Sequence, residues 1–352
     1  MSILIDACRG IESDRTPIWI MRQAGRHLPE YRALRQKHGF HTMMSQPDLM
    51  TEITLQPIRR YDMDGAIIYS DILVIPEAMG VPFELVANVG PVFENPVNRK
   101  NQLLKLQPAV IEKLSHVFQG ISSIRRELSS DKALIGFSGA PWTIATYMVE
   151  GRPSKDYRTI RSLAYSEPQA FHHLMDVLTE GIINYVTEQV RAGANVIQIF
   201  DTNAGYLTHN QFETMSLPYL NRIVKAIQNS GAPAILFVKS GNWTDLVAST
   251  GADVLGVDWT QPLSKVRKKV GENVSLQGNL DPSVLLAPDA VIRREALNVL
   301  ENYGYGQRHI FNLGHGITPD VPVEAVQVLV DTVKEESARF HRPSVEGVVT
   351  HV

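Results

Sequence analysis

The chain has 352 residues, 44% of them apolar and 20% charged, proportions of a folded globular protein with a large buried core and no pervasive disorder. A formal net charge of -3 excludes the broad basic surface that non-specific nucleic-acid binding draws on, so any anion site must be local. The one cysteine, Cys8, excludes an intrachain disulfide and any site built from two thiolates.

The first stretch, 1–15, reads as an N-terminal extension. Asp6 and Arg9 interrupt it before an apolar signal region can form, so the expected compartment is a reducing cytoplasm. Eight short apolar runs then follow: PIWIMR (17–22), AIIYSD (66–71), ALIGFSGAP (133–141), VIQIFDT (196–202), AILFVKS (234–240), VLGVDW (254–259), VSLQGN (274–279) and HIFNLGHG (309–316). Helical patterns separate them. Between Leu174 and Arg191, for example, Leu178, Ile182, Val186 and Val190 form one apolar stripe suited to covering a sheet. The pairs Gly65-Ala66, Gly193-Ala194, Gly231-Ala232 and Gly251-Ala252 read as helix-closing glycines ahead of buried strands. Strands apolar on both faces and alternating with helices form a parallel sheet covered by helices. Eight such units predict a single-domain (β/α)8 TIM barrel over 1–352, with a doubly wound open sheet as the alternative. The long stretches after AIIYSD (71 to about 132) and after GFSGAP are expected to be loops and extra helices, and the tail from Pro343 to be frayed. No apolar run is long enough for a membrane span.

In a parallel barrel the chemistry lies at the carboxyl ends of the strands. Those positions are Arg22, Arg26, Ser70, Asp71, Pro141, Trp142, Asp201, Thr202, Lys239, Asp258, Gln277, Asn279 and His315. Two arginines there fit a ligand with several carboxylates, because guanidinium forks grip them bidentately; the alternative is internal pairing, for instance with Glu30. Asp71 can take a proton, bind a metal or face a developing positive charge, or it can cap the next segment or pair with Arg22. His315, between Gly314 and Gly316, is an acid/base or a hydrogen-bonded structural histidine, and Tyr147 a pocket hydroxyl or a core tyrosine. Lys239 is a Schiff-base lysine or, more in keeping with its neighbours, the ion-pair partner of Asp201 or Asp258. No HExxH, paired cysteines, GxGxxG or GxxxxGK[ST] occurs, so neither a metal site nor a nucleotide cofactor site is expected.

The stretches PIWIMRQAGRHLPEYR, IIYSDIL, GFSGAPWTIATYMVEG, SLQGNLDP and NLGHGITPD closely resemble the uroporphyrinogen decarboxylase family, and the resemblance runs from Thr16 to Arg339. It implies a single barrel acting as a cofactor-free homodimer of the haem pathway, converting uroporphyrinogen III to coproporphyrinogen III by removing four acetate carboxyls. By motif match it implies Arg22 and Arg26 as carboxylate-binding arginines and Asp71 as the central aspartate. Tyr147, Thr202 and His315 follow as pocket residues, with Gln23, Phe200 and the backbone of Ile72 completing the wall. The chain departs from the usual family pattern at Thr202 (serine), His27 (an aromatic, often tyrosine) and Ser240 (glycine), which bears on substrate preference. Corrinoid-linked methyltransferases share this barrel type, but their zinc site normally needs a cysteine beside histidine, and Cys8 is far from any strand end.

Overall fold

The computed structural model describes residues 2–86, 89–240 and 243–341. Its main sheet is wholly parallel and follows chain order: β1 (Gly65–Ile67), β4 (Ala133–Gly139), β5 (Val196–Asp201), β6 (Ala234–Val238), β7 (Val254–Gly256), β8 (Ser275–Gln277) and β9 (His309–Ile310). Between β1 and β4 the insertion carries short helices and an antiparallel hairpin, β2 (Glu84–Val86) with β3 (Gly90–Val92), where only loops and helices were expected. Every residue of β4, β5 and β6 is buried, as expected for strands covered on both faces.

The first predicted strand, 17–22, is reduced to one parallel bridge, Ile18 to Phe311. That bridge closes the ring, since the Phe311 N–H donates to the Pro17 carbonyl (2.8 Å) and the Asp64 N–H to the Ile18 carbonyl (2.9 Å). A side chain supplies the next rung. The Gln23 amide accepts from the Ile20 N–H and donates to the Gly65 carbonyl, both at 2.9 Å, so it bonds where a longer strand would place backbone. The sheet is therefore a (β/α)8 barrel rather than an open doubly wound sheet.

Helix Pro168–Ala192 carries the predicted stripe, with Leu178, Ile182 and Val186 buried, and Gly193 ends it at φ 119°. The helix also mends β4: the Gln189 amide accepts from the Phe137 N–H and donates to the Phe137 carbonyl, both at 2.9 Å. Gly231 and Gly251 likewise hold left-handed φ values, 91° and 72°. Gly65 does not. The preceding helix Pro47–Tyr61 is closed by Asp62 (φ 53°), and Gly65 is small for packing, since a Cβ there would stand 2.7 Å from Leu4 Cδ1.

The extension folds as helix Ile3–Arg9, with Leu4 and Ala7 fully buried. The Ala7 carbonyl accepts from Ser275 Oγ (2.6 Å) at the start of β8, so this helix closes the amino-terminal end of the barrel. Arg15 fixes the link to β1 by a bidentate pair with the buried Asp64 (2.8 and 2.7 Å). Cys8 is buried in that plug, and burial pushes its thiol well above the usual range. The predicted frayed tail lies outside the described residues.

Candidate active site

The opposite, carboxyl-terminal end of the barrel gathers the predicted residues from five strand ends. The first loop turns directly after Met21. Arg22 adopts φ 67°, a left-handed conformation that costs a non-glycine residue about 1 kcal/mol. Gly25 is needed beneath it, because a Cβ there would stand 2.6 Å from the Arg22 carbonyl oxygen. Two bonds tie this loop to the histidine loop: the Met21 N–H donates to Asn312 Oδ1 (3.0 Å) and the Ile317 N–H to the Met21 carbonyl (3.0 Å). The stem of Arg22 then lies on Gly316, where any Cβ would come within 2.8 Å of Arg22 Cγ.

Arg22 and Arg26 are both exposed, and among the described residues neither makes an ion pair. Glu30, the expected internal partner, instead binds Arg60 through Nε (2.9 Å) and Nη2 (3.0 Å). Among the described residues, then, no acid neutralises either guanidinium.

Asp71, half-buried, follows β1. Its Oδ1 accepts the Leu73 N–H (2.8 Å), the local turn one reading foresaw, while Oδ2 has no hydrogen bond among the described residues. Burial raises its pKa, opposed by the Leu73 bond and then by the Arg22 charge, which places the arginine within electrostatic reach. Ile72, beside it, packs on β4, where a Cβ at Gly139 would meet the Ile72 Cβ at 3.1 Å. Tyr147 comes from helix Pro141–Glu150. Its pKa is raised first by burial and next by the Asp71 charge, so its hydroxyl lies within electrostatic reach of that carboxylate, with the Asn203 side chain beside it.

Two residues at the end of β5 line the same mouth: Phe200 is 9% exposed and Thr202 half-buried. The Phe200 ring contacts Phe137 (5.9 Å between centroids) and Phe237 (6.2 Å), and Phe237 contacts His315 (6.2 Å), so the four rings form one connected chain. His315 is half-buried, and burial, then the charges of Arg22 and Lys239, lower its pKa to about 4. It is therefore a neutral hydrogen-bonding group near neutral pH rather than a third cation.

Several predicted positions serve the scaffold instead. Gln23, expected in the pocket wall, is fully buried with its amide engaged in the seam described above. Trp142 is buried and donates to the Asn203 carbonyl (3.0 Å). Gln277 accepts from Trp19 Nε1 (2.9 Å) and donates to Gln198 (3.0 Å) inside the barrel, and Asn279 donates to the Asp258 carbonyl (2.8 Å). Asp201 accepts from Thr143 (2.6 Å) and Ser216 (2.8 Å), its pKa pushed up to about 6 by burial. Asn203 escaped the sequence reading, because its contact with Tyr147 joins a loop and a helix from different barrel units. A separate charged groove, lined by Glu30, Glu52, Gln56, Arg59 and Arg60, has its charges paired with one another.

The profile of the uroporphyrinogen decarboxylase family matches residues 1–336. The chain belongs to that family. Uroporphyrinogen decarboxylase of Legionella pneumophila (strain Paris) is 49% identical over 97% of this chain and 98% of its own length. That of Nitrosococcus oceani is 50% identical over 93% and 94% respectively. A solved methyltransferase from Methanosarcina mazei superposes with a TM-score of 0.75 at 20% identity, covering 95% of this chain and 97% of its own, a likeness of fold. The cysteine that a methyltransferase-type zinc site would need is absent from this mouth, since Cys8 sits in the plug at the other end of the barrel.

Proposed function

We propose that this chain is a uroporphyrinogen decarboxylase whose four acetate removals are run by Asp71, Arg22, Arg26, Tyr147 and His315, with Thr202, Phe200 and Ile72 lining the pocket. The observation that carries the reading is one half-buried carboxylate, one of whose oxygens has no hydrogen bond among the described residues, near two arginines that make no ion pair among those residues.

Losing CO2 from a pyrrole acetate requires a sink for the electrons of the broken C–C bond. A proton added to a ring carbon creates that sink within the substrate: the ring becomes cationic and the bond electrons flow into it as CO2 leaves. A second proton converts the exocyclic methylene to methyl, and the ring proton is returned. The net change at each arm is one carboxylate and one proton converted to methyl and CO2.

Asp71 would face the transient cation and accept hydrogen bonds from the pyrrole N–H groups, in a site where a fixed charge acts more strongly than in water. Arg22 and Arg26 would hold carboxylate arms by their forks, and one of them or a bound water would deliver the proton. Tyr147, Thr202 and the neutral His315 would orient carboxylates by hydrogen bonding. The family resemblance supports a homodimer working in the cytoplasm, with no nucleic acid or membrane partner.

The test is anaerobic incubation with uroporphyrinogen, following intermediates of falling carboxylate number. Coproporphyrinogen should accumulate with release of CO2, and failure of the wild-type chain to release CO2 refutes the proposal.

A further inference from the structure

Lys239 ends β6 at the same mouth, and the two acids expected to neutralise it are engaged elsewhere. Asp201 accepts from the hydroxyls of Thr143 and Ser216. Asp258 accepts from the Ser240 N–H through one oxygen and from the Thr260 N–H (2.8 Å) and hydroxyl through the other. Among the described residues Lys239 makes no ion pair, and its Nζ stands 5.8 Å from the ring centroid of Trp259, which is 39% exposed.

The backbone beneath this cation is held from three sides. The Lys239 N–H donates to the Asp201 carbonyl (3.3 Å), the adjoining Ser240 N–H is fixed by Asp258, and Gly205 packs so closely that a Cβ there would meet the Lys239 carbonyl oxygen at 2.9 Å. The charge of Lys239 and that of Arg22 both act on His315, so cations from two separate loops stand within electrostatic reach of that histidine. A half-buried lysine without a counter-ion, on a pinned backbone and against an exposed indole, is arranged for an anion that arrives with a ligand.

We infer that Lys239, backed by Trp259, is a further carboxylate-binding residue, gripping an acidic arm of the substrate. The inference rests on the decarboxylase reading above. The ligand fits it chemically: uroporphyrinogen bears an acetate and a propionate on every pyrrole, more anionic arms than two arginines can hold. Because decarboxylation removes acetates one by one, a subsite that grips an arm rather than the reacting carbon favours the more highly carboxylated substrates.

Lys239→Met and Lys239→Arg test this, assayed anaerobically beside the wild type with uroporphyrinogen and with the isolated pentacarboxylate intermediate. Lys239→Met should raise KM for uroporphyrinogen about tenfold, the scale of one lost charge-assisted hydrogen bond, while kcat changes far less. The penalty should be smaller for the pentacarboxylate, the dependence of KM on salt should weaken, and Lys239→Arg should recover most of the loss. An unchanged KM in Lys239→Met overturns the inference, as does an equal loss on both substrates that arginine does not repair. Either result, with the wild type still turning over uroporphyrinogen, leaves the decarboxylase reading intact; a wild type that releases no CO2 defeats that reading itself.

Discussion

Asp71→Asn separates charge from shape at the centre of the site. Asparagine keeps an oxygen for the Leu73 N–H, the one hydrogen bond that the Asp71 side chain makes among the described residues, so the turn should survive. What disappears is the negative charge. For a ring cation about 4 Å away, an effective dielectric near 20 gives about 4 kcal/mol, and one decade of rate per 1.36 kcal/mol makes that nearly a thousandfold. Turnover measured as CO2 release under anaerobic conditions should fall by about that factor. Stability should move the other way. Burial raises the pKa of Asp71, so the folded state binds its proton more tightly than the unfolded chain does. The ionised carboxylate therefore opposes folding at pH values above that raised pKa, and the opposition fades as pH falls toward 3.8. A neutral asparagine removes it, so Asp71→Asn should melt no lower than the wild type at pH 7, and the acid limb of the kcat profile should flatten. Turnover within tenfold of wild type in a folded Asp71→Asn protein would refute the electrostatic role.

Gly316→Ala places a methyl against the stem of Arg22, whose side chain must give way; kcat/KM should drop at least about tenfold with little change in melting temperature, and an unaltered KM would show that Arg22 holds no substrate arm. Arg22→Lys keeps the charge but not the fork, and a loss of about tenfold or more in kcat/KM is expected; wild-type kinetics would exclude bidentate binding. Gln23→Leu leaves the Ile20 N–H and the Gly65 carbonyl without partners, at about 1–3 kcal/mol each, so chemical denaturation should show a loss of about 2–5 kcal/mol. A midpoint unchanged in urea would mean that Gln23 does not close the barrel. His315 should titrate in NMR with a midpoint about 4, moving upward when a polycarboxylate binds and offsets the neighbouring cations; its lowered value also means that protonation opposes the folded state as pH falls from 6.5 toward 4. A free-protein midpoint near 6.5 would contradict the buried placement.

The barrel was legible because its strands are apolar on both faces and because helix stripes such as Leu178, Ile182 and Val186 show the helical period. The places where the reading failed have separate local causes. Gln23 takes over the seam and shortens the first strand to a bridge, and no periodic signal marks a glutamine that bonds like a strand. Asp62 closes its helix in a conformation usually reserved for glycine, which made Gly65 look like the cap. The hairpin Glu84–Val86 with Gly90–Val92 escaped because its strands are short and largely uncovered, without the alternation that a packed face imposes.

The charged positions at the mouth were legible, whereas their partners were not, and the partners decide the chemistry. From the sequence, Glu30 could have neutralised an arginine, and Asp201 or Asp258 could have neutralised Lys239. In the fold Glu30 binds Arg60, and the two aspartates bind hydroxyls and backbone N–H groups. A chain selected for stability alone gains nothing by satisfying the two aspartates with neutral donors while, among the described residues, three neighbouring cations have no counter-ion. That asymmetry makes sense if the missing anions belong to the substrate, since a cation already neutralised within the protein would have to break that pair before it could bind a carboxylate arm.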